Sequence, residues 1–136
     1  MKASTKLKRE IMIHAAKFEE GYTLYADVAA FTEEAIENTW IHFKEEGHIM
    51  SSYDIIIEFR HLGVESNIRP EFSRCYDSES RAIKCCDGSW IGYTFWSGGG
   101  KHGEPDSIDY IEDAYDTELV EEKEVKVIER TFKKYE

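Results

Sequence analysis

The fold is decided by one stretch in the second half of the chain, Arg81-Ala82-Ile83-Lys84-Cys85-Cys86-Asp87-Gly88-Ser89-Trp90-Ile91-Gly92-Tyr93-Thr94-Phe95-Trp96. Its two halves carry β-branched and aromatic residues, and Asp87-Gly88-Ser89 between them is a turn sequence. This arrangement is typical of a β-hairpin. We therefore expect an antiparallel sheet to form around residues 81–96.

Turn length sets which residues of the hairpin face each other. A two-residue turn pairs Lys84 with Ile91, whereas a three-residue turn pairs Cys85 with Ile91. The longer turn is favoured because it separates apolar from polar side chains. It gathers five side chains on one face: Ile83, Cys85, Ile91, Tyr93 and Phe95. Trp90 and Trp96 then lie on the other face, where they either pack against the N-terminal helices or form an exposed aromatic patch.

The residues before the hairpin show helical spacing. A first helix is predicted from the apolar residues Leu7, Ile11, Ala15 and Phe18, and Gly21 is a plausible stop after it. A second helix is predicted from an N-cap at Thr32 to Gly47. Its buried side is expected to contain Phe31, Ala35, Ile36, Trp40 and Phe43.

Other segments complete the prediction. Alternation over Tyr53–Phe59 indicates a strand, and a second strand is expected around Phe72–Tyr76. Pro105 and the spacing after it predict a helix over residues 105–116. Residues 125–132 suit either a helix or an edge strand, and their β-branched residues favour the strand. We expect a single α+β domain over residues 1–136, with N-terminal helices packed on an antiparallel sheet and a short acidic helix near the C-terminus.

Charge restricts the possible partners. The 136 residues include 28 acids and 17 bases, for a formal net charge of −11. Residues 104–124 hold ten acids and one base, whereas residues 1–9 hold four bases. This acidity argues against direct binding of nucleic acid or anionic membranes and favours a basic partner. Glu10 and His14 interrupt the region where a secretory signal would continue, and no apolar run is long enough to span a bilayer, so we expect a cytoplasmic protein.

The acidic segment contains the first candidate site. On the predicted helix, Asp106, Asp109, Asp113 and Asp116 fall three or four residues apart and line one face. Such a face is either solvated, or a phosphate-like array that occupies a basic groove, or a site for calcium or another use. The residues predicted to bind a partner are Asp106, Asp109, Tyr110, Glu112, Asp113 and Asp116.

A second candidate site is a nucleotide-like ligand site near the glycine-rich loop. Gly98-Gly99-Gly100-Lys101 is either a flexible connector or a ligand-gripping loop, and it lacks the spacing of a phosphate-binding loop. In the ligand hypothesis the tryptophans stack on a base, and basic side chains meet a phosphate. The residues involved are Arg81, Trp90, Trp96, Lys101 and His102.

Catalytic and metal sites are not expected. The five histidines are scattered, and no pair of cysteines or histidines has the spacing of metal ligands. Cys85 and Cys86 are adjacent and Cys75 lies apart, which indicates free thiols rather than a disulfide framework. We therefore predict no catalytic residue, no metal and no cofactor.

Part of the chain resembles small proteins encoded by tailed phages. The similarity lies in Trp96-Ser97-Gly98-Gly99-Gly100-Lys101-His102-Gly103-Glu104-Pro105, in Ile108-Asp109-Tyr110 with the acids that follow, and in Glu129-Arg130-Thr131-Phe132. Those proteins mostly have no assigned activity. The resemblance implies an accessory factor that binds a host protein, and inhibitors of restriction or CRISPR nucleases are one such class.

Together these features predict a non-enzymatic acidic binding protein. Its expected target is the basic surface of a host nuclease or another nucleic-acid-binding protein, with no direct contact to nucleic acid or membrane. The alternatives are a protein that binds a nucleotide-like ligand and an oligomeric structural component.

Overall fold

Three α-helices within residues 1–59 face a four-stranded sheet formed within residues 64–117. The structure is a computed structural model that describes residues 1–135. Its helices are α1 (Ala3–Phe18), α2 (Glu33–Phe43) and α3 (Ser52–Phe59), and its strands are β1 (Val64–Glu65), β2 (Asp77–Lys84), β3 (Trp90–Ser97) and β4 (Tyr115–Thr117). All neighbouring strands are antiparallel, in the order β1-β2-β3-β4. The predicted α+β class, with N-terminal helices and an antiparallel sheet, is confirmed.

Helix α1 is the centre of the packing. It contacts α2, α3, β3, β4 and a 3-10 helix at Thr23–Ala30. As predicted, Leu7, Ile11 and Ala15 are fully buried along one side of α1. Phe18 is an exception, because it lies in the last turn and is 70% exposed.

Helix α2 begins where the sequence predicts. The Thr32 hydroxyl accepts a hydrogen bond from the Ala35 backbone N–H at 3.2 Å and so caps the helix. Ile36, Trp40 and Phe43 are buried, as expected from their spacing. The helix ends at Phe43, four residues before the predicted stop at Gly47.

The predicted strand at Tyr53–Phe59 is wrong, because these residues form α3. The Ser51 hydroxyl accepts a hydrogen bond from the Asp54 N–H at 3.2 Å, which starts a helix. Ile55 and Phe59 are buried on one side of it, four residues apart. A short run that is apolar at nearly every position fits both the helical and the strand periodicity. The Ser51 cap, and not the alternation, therefore determines that these residues form a helix.

The predicted hairpin is present, but its register is neither of the two considered. Ile83 pairs with Ile91, which leaves a five-residue loop over residues 85–89. The loop is closed by the Cys85 N–H, which donates to the Ser89 carbonyl at 2.7 Å. A shift of two residues from the preferred register leaves every side chain on its predicted face. Trp90 and Trp96 lie half-buried on the outer face.

Three further predictions are wrong. Residues 72–76 form no strand, and Phe72 is 88% exposed. The helix over residues 105–116 is reduced to one 3-10 turn at Pro105–Ser107, after which the chain turns into β4. Residues 118–135, named the arm below, are all exposed and without secondary structure, so the strand predicted at 125–132 is not formed.

Strand β4 closes one side of the sheet through an aromatic contact. A β-carbon placed on Gly92 of β3 would lie 2.3 Å from the ring of Tyr115. The glycine therefore allows the Tyr115 ring to lie directly on the neighbouring strand. None of the helices within residues 1–135 combines the length and apolar content needed to cross a bilayer.

We predict that Ser51→Ala lowers the free energy of unfolding by about 1 kcal/mol, because α3 loses its cap. Urea unfolding followed by circular dichroism measures the change. Thr23→Ala, at an exposed threonine of the 3-10 helix, is the matched control and should unfold like the native chain. An unchanged midpoint for Ser51→Ala would contradict the role of the cap.

Candidate functional site

A buried lysine organises the carboxylates around α1. The Lys8 side chain is only 8% exposed, and its Nζ lies 2.8 Å from Glu37 Oε2 and 3.0 Å from Glu112 Oε1. Burial alone would lower the pKa of Lys8, but the two carboxylates outweigh it and raise that pKa. One ammonium group thus joins α2 to the acidic segment that precedes β4.

Other acids of the segment also pair with bases of the same chain. Asp116 Oδ1 lies 3.3 Å from Lys6 Nζ, and Asp106 forms an ion pair with the guanidinium of Arg60. These pairs leave much of each carboxylate in water, since the Asp106 side chain is 57% exposed and that of Asp116 is 68% exposed. These two predicted partner-binding residues therefore contribute to the fold and still face solvent.

The remaining three predicted residues have different surroundings. Asp109 Oδ1 accepts a hydrogen bond from the Ile111 N–H at 2.8 Å and holds the turn that replaces the predicted helix. Tyr110 is buried, and its hydroxyl donates to the Ile56 carbonyl. Tyr110 is therefore part of the core, and burial raises its pKa. Asp113 is exposed and forms no ion pair within residues 1–135.

Three of these carboxylates meet at one groove, called the acidic groove here. The groove has a volume of about 210 Å³, and Asp106, Asp109 and Glu112 line it. Its apolar part comes from α2, α3 and the acidic segment, through Trp40, Tyr53, Ile56, Ile57, Ile108, Tyr110 and Ile111. Lys44 is the one base among the lining residues. The acidic groove therefore combines negative charge with aromatic and aliphatic surface.

The acids that α2 contributes beside this segment are not among the site residues predicted from sequence. Glu33 and Glu37 stand four residues apart on α2, and Thr5 Oγ1 of α1 lies 3.3 Å and 2.6 Å from their carboxylates. The Thr5 and Lys8 hydrogen bonds outweigh desolvation and lower the pKa of Glu37. The four-residue spacing of Glu33 and Glu37 places both acids on one side of a helix, and this could be seen in the sequence. The spacing does not show which bases the two acids contact.

The residues of the alternative ligand site are not brought together. Arg81 pairs with Tyr93 and so points to the face opposite Trp90 and Trp96. Its guanidinium lies 4.0 Å from the Phe95 ring centroid and pairs with Glu79 at 3.1 Å. The two tryptophans are six residues apart on β3, or roughly 20 Å, which is too far for both to stack on one base. Lys101 and His102 are exposed in a short turn after β3.

The cysteines are free thiols with raised pKa values. Cys85 is buried, whereas Cys75 and Cys86 are exposed. Desolvation is the largest cause of the raised pKa at both Cys85 and Cys86, and the negative charge of Glu10 adds to it. Both thiols are therefore protonated at neutral pH, unlike an activated nucleophile. Within residues 1–135, no cluster of three or more metal-ligating side chains is present.

Comparison with known proteins adds no relative. No family model, no curated protein and no solved structure matches the chain. The function of the candidate site must therefore be inferred from its geometry.

We predict that Lys8→Met lowers the free energy of unfolding by about 1–3 kcal/mol, because Glu37 and Glu112 lose their common cation. Methionine keeps the aliphatic volume of the lysine side chain, so the loss of stability measures the contribution of the charge. Urea unfolding at low salt measures it. Lys17→Met, on the exposed side of α1, is the control and should change stability by a few tenths of a kcal/mol.

A second prediction concerns the hairpin loop at low pH. Hydrogen bonds from the Ser89 hydroxyl and N–H, with the charge of Arg9, lower the pKa of Asp87 from 3.8 to about 2. The stabilisation is therefore complete above pH 3.8 and is lost as the pH falls through about 2. Asp87→Asn should lower stability by about 1 kcal/mol at pH 7, less than the full pKa shift implies because the carboxylate is half exposed.

The measurement for Asp87→Asn is urea unfolding at pH 7, 4 and 2.5. The difference in the free energy of unfolding between the variant and the native chain should be smallest at the lowest pH. A difference that stays constant over this range would show that the carboxylate charge is not the cause.

Proposed function

We propose that this chain is a non-enzymatic binding protein of the cytoplasm that holds a basic segment of another protein in the acidic groove. The observation that carries the proposal is the convergence of Asp106, Asp109 and Glu112 around a groove with an aromatic and aliphatic lining. A simple solvated acidic surface does not need such a lining. A basic side chain with a long aliphatic stem matches both parts of the groove.

Arginine fits this groove better than lysine does. Its planar guanidinium binds carboxylates through two parallel hydrogen bonds and also stacks on aromatic rings. Tyr53, which is 59% exposed, offers such a ring beside Asp106 and Asp109. Trp40 and Ile56 contact the aliphatic stem in this proposal. Asp113 and Asp116, outside the groove, increase the attraction at longer range.

The protein class most compatible with this preference is one with an arginine-rich surface, as in nucleases and other nucleic-acid-binding proteins. The formal net charge of −11 supports rapid and salt-dependent association with such a surface. The similarity of residues 96–132 to tailed-phage proteins suggests a phage accessory or anti-defence factor as the setting. In that setting the cytoplasm is the host's.

We predict that octa-arginine binds the native chain and that affinity falls at least tenfold between 50 and 300 mM salt. The double variant Glu112→Gln with Asp113→Asn should bind about tenfold more weakly in low salt. Anisotropy of a fluorescein-labelled peptide measures both effects. Glu20→Gln with Asp27→Asn, two exposed acids outside the groove, changes the net charge equally and is the matched control.

A further variant separates the groove from net charge. Tyr53→Ala keeps every charge and should still weaken octa-arginine binding several-fold, because the guanidinium loses its ring. Octa-lysine should bind more weakly than octa-arginine. The proposal would be refuted if the native chain, the Glu112/Asp113 double variant and Tyr53→Ala all bound octa-arginine equally, or if binding did not depend on salt.

A further inference from the structure

The arm is the largest unpaired apolar element of the described chain. It carries seven large apolar side chains, each at least 48% exposed: Leu119, Val120, Val125, Val127, Ile128, Phe132 and Tyr135. Scattered apolar residues on a surface are ordinary, but this density in one extended segment marks a contact region. The question is which surface covers it.

A groove of suitable chemistry lies where the arm leaves the sheet, and we call it the arm groove. It has a volume of about 570 Å³ and lies between the β1 region and residues 117–122. Its apolar lining is Val64, Ile68, Ala82, Trp90, Leu119 and Val120. Its charged lining is entirely acidic, from Glu65, Glu118, Glu121 and Glu122. Trp90, half-buried on the outer face of the sheet, is thus part of the apolar lining of this groove.

The distal part of the arm has the opposite charge. Residues 125–135 contain four bases, Lys126, Arg130, Lys133 and Lys134, and one acid, Glu129. The same eleven residues include five of the seven exposed apolar side chains. An apolar, basic segment therefore follows in sequence the last residue of an apolar, acidic groove and does not line that groove. Charge and hydrophobicity match between the two.

The arm of the same chain is poorly suited to fill this groove. Only two residues separate Glu122, in the groove wall, from Val125, so the chain would have to reverse its direction at once. Residues 118–135 contain no Gly, Pro, Asn, Asp or Ser, which are the residues that favour tight turns. Their β-branched residues favour an extended course instead. An extended arm does not fold back onto its own groove.

We propose that two copies of this chain form a dimer by exchanging residues 125–135, each laid in the arm groove of the other copy. The exchange is symmetric, so both arms and both grooves are used and the assembly closes at two copies. Lys133 and Lys134 meet the acids at Glu121 and Glu122, while the apolar side chains cover Trp90 and Val64. The residues differ from those of the acidic groove, so the dimer does not depend on the proposed function.

The test is the mass of the full chain in solution, from sedimentation velocity at 5–100 µM. The native chain should be a dimer at the upper concentrations. Lys133→Glu with Lys134→Glu should give a monomer, and so should Glu121→Lys with Glu122→Lys. Glu20→Lys with Glu45→Lys, two exposed acids away from the arm groove, is the matched control and should remain a dimer.

Mixing the two charge-reversed variants gives the sharpest result. In the mixture the arm with reversed charge at positions 133 and 134 meets the groove with reversed charge at positions 121 and 122, and the native arm meets the native groove. The dimer should therefore return although each variant alone is monomeric. A native chain that is monomeric at 100 µM overturns the proposal. Dimers that persist in both charge-reversed variants overturn it as well, because the arm is then not the contact. Octa-arginine plays no part in this experiment, so its outcome is separate from that of the proposed function.

Discussion

The ammonium group of Lys8 is the constraint on which the arrangement of this protein depends. A lysine buried in the central helix needs carboxylates at hydrogen-bond distance, and here α2 and the segment before β4 each supply one. Lys6 and Arg9, on the same helix, pair in the same way with β4 and with the hairpin loop. The basic side of α1 therefore holds the acidic segments around it. Helices and sheet are connected by charge as well as by the apolar core.

This constraint changes the meaning of the acidic composition. The segment over residues 104–124 looks, in sequence, like a surface set aside for a partner. In the structure three of its acids, Asp106, Glu112 and Asp116, pair with Arg60, which follows α3, and with Lys8 and Lys6 of α1. The exposed remainder of each carboxylate is what a partner can meet. The same side chain can do both, because a carboxylate offers two oxygens and several acceptor directions. In the proposed function, stability and recognition are therefore coupled in this segment.

The sequence predicts the fold where one local signal dominates. The Thr32 cap and the spacing of Ile36, Trp40 and Phe43 define α2, and the Asp87-Gly88-Ser89 turn defines the hairpin. Prediction from sequence fails where two patterns compete. Ile55, Ile56 and Ile57 suit both a strand and a helix, and the capping Ser51 determines that a helix forms. Helical spacing after Pro105 was outweighed by long-range contacts, namely the Lys8 ion pair and the ring of Tyr115 over Gly92. The acidic groove forms because α2 and α3 lie side by side next to the acidic segment. The spacing of acids along that one segment cannot predict this long-range arrangement.

The two carboxylates of Lys8 also reach it at different times during synthesis. Glu37 follows Lys8 by 29 residues, so α1 and α2 can pair soon after both have left the ribosome. Glu112 is made 75 residues after Glu37, which at roughly 5–20 residues per second is about 4–15 s later. In that interval Lys8 can pair only with Glu37, and β4, which closes one side of the sheet, has not yet been made. The nascent chain would therefore be more basic around α1 than the finished protein, and exposed to a different set of neighbours.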